Sequence, residues 1–160
     1  MSAVTAMIGV PVAVASMVAA QDNPPFANAT PSAQVAIIRP AAGSVIQAGE
    51  GIPVNGTVTG LAPEDRLWII LRSDPDTSGL YYLAQNSPAA YRDGTWRLVS
   101  KLTGDNSSKG HNITLIALQA DILCDDVLST LPSDDNGRVS LPAVPDGCAN
   151  RAERSIAIAP

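Results

Sequence analysis

His111 is the single histidine in a chain of 160 residues, and it stands in the stretch KGHNIT where a loop gives way to an apolar run. A serine- or cysteine-type hydrolase would use such an imidazole as general base, oriented by a carboxylate. Asp105 lies near in sequence, but no G-x-S-x-G stretch or comparable nucleophile setting occurs. His111 is therefore read as a strand-end histidine, and the chain as non-enzymatic. Cys124 and Cys148 are too widely spaced for a redox C-x-x-C pair. With one distant histidine they do not make a zinc motif either. In an oxidising compartment an even pair of cysteines suggests one disulfide, which here would close a loop of about 25 residues worth roughly 3 kcal/mol. The alternative is two unpaired buried thiols. The acids of DPD (Asp74 to Asp76), Asp125-Asp126 and SDDNG (Ser133 to Gly137) fall in turns or at a helix start. The last of these lacks the spaced acids and distal glutamate of a calcium-binding EF-hand loop. Asp and Asn stabilising their own turns is the ordinary reading. No catalytic residue, metal site or cofactor is assigned.

Aromatic residues suggest binding instead. Trp68, Tyr81, Tyr82 and Tyr91 lie on neighbouring segments and form a candidate ligand face. Consecutive strand residues point to opposite faces, so one of Tyr81 and Tyr82 should look outward. An outward tyrosine beside Trp68 could stack on a sugar ring or grip a peptide. The alternative is that Trp68 fills the core, as central-strand tryptophans do in sandwich domains. Sequons at Asn28, Asn55, Asn106 and Asn112 mark glycan sites only in a eukaryotic secreted chain.

The elements that must position these residues read as short strands joined by turns. Thirteen prolines and twelve glycines suit that pattern better than a helical bundle. IPVNGTVTG alternates, with Ile52, Val54 and Val58 on one face and Asn55, Thr57 and Thr59 on the other. RLWIILRS is apolar on both faces, as a covered central strand would be. TWRLVSKL places Trp96, Leu98 and Leu102 together, opposite Arg97 and Lys101, and the turn dipeptide Asp93-Gly94 precedes it. Trp96 should therefore point into the core. QVAIIRP, GLYYLAQ, HNITLIALQA and RSIAIAP complete the set, about seven strands in an antiparallel sandwich. DILCDDVLSTLP breaks the pattern: Ile122, Leu123, Val127, Leu128 and Leu131 line one helical face, Asp121 is the expected N-cap and Pro132 the stop. One short inserted helix is expected there.

Residues 1–20 carry no charged side chain, and twenty helical residues rise about 30 Å, enough to span a bilayer core. Membrane anchor and cleaved secretory signal both remain open for this hydrophobic helix. Each places the rest of the chain outside the cytoplasm, anchored or secreted. Residues 21–33, rich in Pro, Ala, Ser and Thr, read as a linker, and 34–160 as the domain. A net charge of −5 and no basic cluster exclude nucleic acid as a partner.

The motifs PAAGSVI, IPVNGTVTG, LWIIL, GLYYLAQ and DGTW together resemble bacterial immunoglobulin-like domains, over Val35 to Ala159. In particular they resemble a variant found beyond a single membrane helix in bacterial surface and sensor proteins. The resemblance implies an Ig-like β-sandwich serving as a stalk, spacer or binding module, with a protein or glycan at the cell surface as partner. The inserted helix and its cysteine depart from the simplest form of that group. A secreted carbohydrate- or ligand-binding module using the tyrosine and tryptophan face is the alternative.

Overall fold

Two apolar runs of the domain, RLWIILRS and HNITLIALQA, become neighbouring central strands, and core residues pack on both of their faces. The computed structural model describes residues 33–74, 78–103 and 109–160. In chain order its elements are β1 (Gln34–Arg39), β2 (Val45–Ile46), β3 (Gly51–Ile52), β4 (Asn55–Thr59), β5 (Arg66–Asp74) and β6 (Tyr81–Leu83). They continue with β7 (Ala90–Arg92), β8 (Thr95–Arg97), β9 (Leu102–Thr103), β10 (Asn112–Ala120), α1 (Ile122–Thr130), β11 (Ser140–Leu141) and β12 (Cys148–Ile158). The protein is mostly β, with antiparallel sheets and this one described helix.

One sheet has the order β1-β4-β8-β7, a second β11-β6-β5-β10-β12-β2, and β3 pairs with β9 in a small ribbon. All pairings are antiparallel except that of β12 with β2. Strands β5 and β10 match along their whole length, from Asp74 opposite Asn112 to Arg66 opposite Ala120. Side chains alternate between sheet faces, so these two strands serve two cores at once. Leu67, Ile69, Leu115 and Ala117 join Ile37, Val58, Trp96 and Ile156 in a core shared by the two large sheets. Trp68, Ile70, Ile116 and Leu118 face the other way and meet Cys124 and Leu128 of α1. Fully burying a large apolar side chain contributes about 1.5–3 kcal/mol, so each layer is held by several such terms.

More strand segments form than the seven expected from the sequence. The extra ones are short: β2, β3, β9 and β11 hold two residues each. TWRLVSKL is not one strand. Trp96 and Leu98 enter the shared core from β8 and its extension, whereas Leu102 reaches it from β9, paired with Ile52. Strand β12 is longer than RSIAIAP, beginning already at Cys148.

Asp93-Gly94 is the two-residue turn between β7 and β8, with Arg92 opposite Thr95. Both turn residues have positive φ, 51° and 76°. That is the pairing a tight hairpin of primed type demands, and it explains an Asp-Gly sequence there.

Helix α1 begins as expected. The Asp121 carboxylate accepts the N–H groups of Leu123 and Cys124, each at 2.9 Å, and α1 ends at Thr130, before Pro132. Its buried stripe differs from the expected one. Cys124 and Leu128, four residues apart, face the sheet with Leu131 packed beside them, while Ile122, Leu123 and Val127 are exposed. With this rotation Cys124 faces β12, where its disulfide partner Cys148 begins the strand.

Residues 1–20 and 21–32 lie outside the described residues, so the anchor or signal segment and nearly all of the linker are not described. Among the described residues no helix is long and apolar enough to cross a membrane.

Candidate functional site

Cys124 and Cys148 form a disulfide, with their Cα atoms 5.3 Å apart. It ties the first turn of α1 to the first residue of β12, and the Asp121 N–H donates to the Gly147 carbonyl beside it. Trp68 lies beneath this helix, 1% exposed, its indole N–H donating to Asp125 Oδ1 at 2.7 Å. Trp68 therefore offers no surface to a ligand. It is also not in the core between the two large sheets, but in the second core between sheet and helix.

The tyrosines part company. Tyr81 and Tyr82 follow one another on β6 and take opposite faces. Tyr81 packs against the helix-side core, and Tyr82 lines a cavity on the other face. Tyr91, on the edge strand of the four-stranded sheet, borders a separate shallow hollow of about 590 Å³ with Ile38 and Arg97. The four aromatics read from the sequence as one face thus serve three places. Sequence proximity suggested a shared surface, and strand alternation and the change of sheet between β6 and β7 divide it.

The cavity that takes Tyr82 has a volume of about 830 Å³. It opens where the shared core reaches the end of β5. Leu71 and Ser73 from β5, Tyr82 and Leu83 from β6, and His111 and Ile113 from the start of β10 form one side. Lys101 to Thr103, around β9, and Arg138 complete it. Gln85 holds two of its walls together. Its Nε2 donates to the carbonyls of Ser87 and Pro88, at 3.0 and 2.9 Å, and its Oε1 accepts from the Val99 N–H at 2.9 Å.

His111 is half-buried in this groove, with Ser73, Ser78 and Ser100 among the lining residues. No carboxylate is among the described lining residues to orient the imidazole. Several of the described acids are held in structural hydrogen bonds. Asp134 accepts the N–H groups of Asn136 and Arg138 within its own turn, at 2.9 and 2.8 Å. Asp125 is held by Trp68, and Asp65 accepts from the Gln119 amide, whose oxygen takes the Arg151 Nε–H at 2.8 Å. Among the described residues no group of three or more His, Cys, Asp or Glu converges as a metal site would require.

Sequence reasoning placed Tyr82 on a binding face but missed the groove itself. Its residues come from segments between Leu71 and Arg138, and no local motif joins them. Comparison with known protein families, with curated proteins and with solved structures returns no match to this chain.

Proposed function

We propose that this chain is a non-enzymatic, extracytoplasmic, immunoglobulin-like module that serves interaction, sensing or spacing at the cell surface. The strand order carries the reading. In immunoglobulin lettering, β1-β4-β8-β7 follows the order A-B-E-D of one sheet, and β6-β5-β10-β12 the order C′-C-F-G of the other. Helix α1 and β11 then occupy the connection from F to G. The Cys124–Cys148 bond supports export, since structural disulfides form and persist in oxidising compartments. The apolar residues 1–20 supply the anchor or signal, and a protein or glycan at the cell surface is the partner.

The test is a fusion of alkaline phosphatase after Pro160 in a bacterial host, since that reporter matures only outside the cytoplasm. An active fusion supports the reading, and an inactive one whose cytoplasmic-reporter counterpart is active contradicts it.

A second reading, a ligand-binding module, is favoured by the placement of Tyr82. Its ring lines a groove of about 830 Å³ together with apolar and hydrogen-bonding groups. Small-molecule sites typically occupy about 300–1,000 Å³ and combine an apolar lining with a few polar groups.

A further inference from the structure

Helix α1 lies on the outer side of the six-stranded sheet and is buried there through Cys124 and Leu128. At about 100° per residue its other side gathers Ile122, Leu123, Asp126, Val127 and Thr130, all exposed. Ile122 and Leu123 are each 66% exposed and Val127 43%. A helix that seats one side on a sheet normally turns polar residues to solvent, so three large apolar side chains together on the free side mark a contact surface. The outer side of the four-stranded sheet, across the sandwich, is a second such surface. Ile37, Val58 and Trp96 point into the shared core, so by alternation Ile38, Thr57, Thr95 and Arg97 point away from it. With Tyr91 they border the hollow of about 590 Å³. Ile38 and Tyr91 are 55% and 51% exposed. Arg92 is held by Asp93 at 3.2 Å. The side chains of Arg97 and Asp126, both exposed, have no ion pair or hydrogen bond among the described residues. Both surfaces and the turns that border them fall within the described residues.

We infer that helix α1 of one copy docks on the outer side of the four-stranded sheet of the next, with Ile122, Leu123 and Val127 against Ile38 and Tyr91 and the Asp126 carboxylate at the Arg97 guanidinium. The dimensions agree. A helix of 9 residues is about 13 Å long, and a sheet of four strands is about 14 Å from first strand to last. The charges agree as well, and a charge pair beside an apolar contact fixes its orientation and rejects like-charged partners. Because the two surfaces differ and lie on opposite sides of the sandwich, the contact is head-to-tail, and each pair keeps a free helix and a free sheet with which to extend. The area is that of one short helix, so the association is weak between free molecules. This names a second copy of the chain as a partner for the interaction reading above, whose claim of export the alkaline phosphatase fusion tests separately.

The test expresses the full chain in a bacterial host with the photoreactive residue p-benzoylphenylalanine in place of Leu123, and separately in place of Tyr91. Light then joins that side chain to whatever lies against it. The Leu123 probe should give a cross-linked dimer whose second peptide contains Ile38, Tyr91 or Arg97. The Tyr91 probe should give one whose second peptide contains Ile122 to Val127. With the Leu123 probe, Arg97→Asp should lower the dimer yield about tenfold, and adding Asp126→Arg to the same chain should restore it. Arg97 and Asp126 are exposed, so neither substitution disturbs the fold, which unchanged resistance to limited proteolysis verifies. A dimer joined elsewhere, a cross-link within one chain or to a different protein, or no cross-link with either probe overturns the inference. A dimer whose yield ignores the charge reversals overturns the pairing of Asp126 with Arg97. Each of these failures leaves the export reading standing, since the fusion decides that.

Discussion

The indole N–H of Trp68 donates to Asp125 Oδ1 across 2.7 Å, fastening α1 to the outer face of the six-stranded sheet. The donor belongs to a residue 1% exposed, so without its acceptor it would be buried and unpaired. Replacing Asp125 by alanine should cost about 1.5–3 kcal/mol, the range for a lost hydrogen bond to a charged group. Asp125→Asn retains an oxygen acceptor and should recover most of that. Urea unfolding of the two variants measures the difference, and equal stabilities would contradict the role given to this bond.

Gly56 faces Trp96 where β4 pairs with β8. A Cβ at Gly56 would come 2.8 Å from the indole and run into the Ala36 carbonyl oxygen. That carbonyl belongs to the pairing of β1 with β4 and cannot turn aside alone. Gly56→Ala should therefore destabilise by about 3 kcal/mol or more, at the upper end for overpacking. Trp96→Ala, which empties the same corner of the core, should cost about 3–5 kcal/mol. The double variant should not recover the Gly56→Ala loss, because the Ala36 oxygen remains. Recovery in a double-mutant cycle would place the clash on the indole alone.

The Cys124–Cys148 bond spans a sequence separation of 24 and sits beside the cap of α1. Replacing both cysteines by alanine should lower stability by about 3 kcal/mol on the chain-entropy model. The loss should appear first in the helix. Hydrogen exchange should rise for amides of α1 while those of β5 and β10 stay protected. Uniform loss of protection across the sheet would contradict a tether that acts locally.

Gln85 bridges its own turn to the segment after β8. Gln85→Ala removes these links from partly exposed groups and should cost about 1–2 kcal/mol. Faster exchange should follow at the Val99 and Ser100 amides in particular. Unchanged exchange there would mean that the groove walls stand without it.

Much of the architecture could be read from the residues because local signals agreed with the fold. RLWIILRS is apolar on both faces because β5 separates two cores. Asp93-Gly94 marked a hairpin because few other pairs take positive φ twice. Asp121 and Pro132 bounded the helix through backbone chemistry that acts within a few residues. The buried side of that helix was not legible. Ile122, Leu123 and Val127 look like core residues by type, and the rotation that exposes them goes with contacts to distant residues, the Cys124–Cys148 bond and the Trp68–Asp125 hydrogen bond. The groove was hidden for the same reason. Tyr82, Lys101, His111 and Arg138 meet through strand pairing across distant segments, and no periodicity within one segment records that meeting. Trp68, placed by its sequence neighbours on a candidate ligand face with the sandwich core as the alternative, is in neither: it is buried under the helix.

The central claim is that this β-sheet domain is exported and works as a disulfide-bonded module outside the cytoplasm. Its most direct test is to express the full chain in a bacterial host, fractionate the cells, and determine intact mass after thiol alkylation without reductant. The account predicts protein in the membrane or exported fraction, carrying the Cys124–Cys148 bond and no alkylated thiol. Soluble cytoplasmic protein with both cysteines alkylated would contradict it.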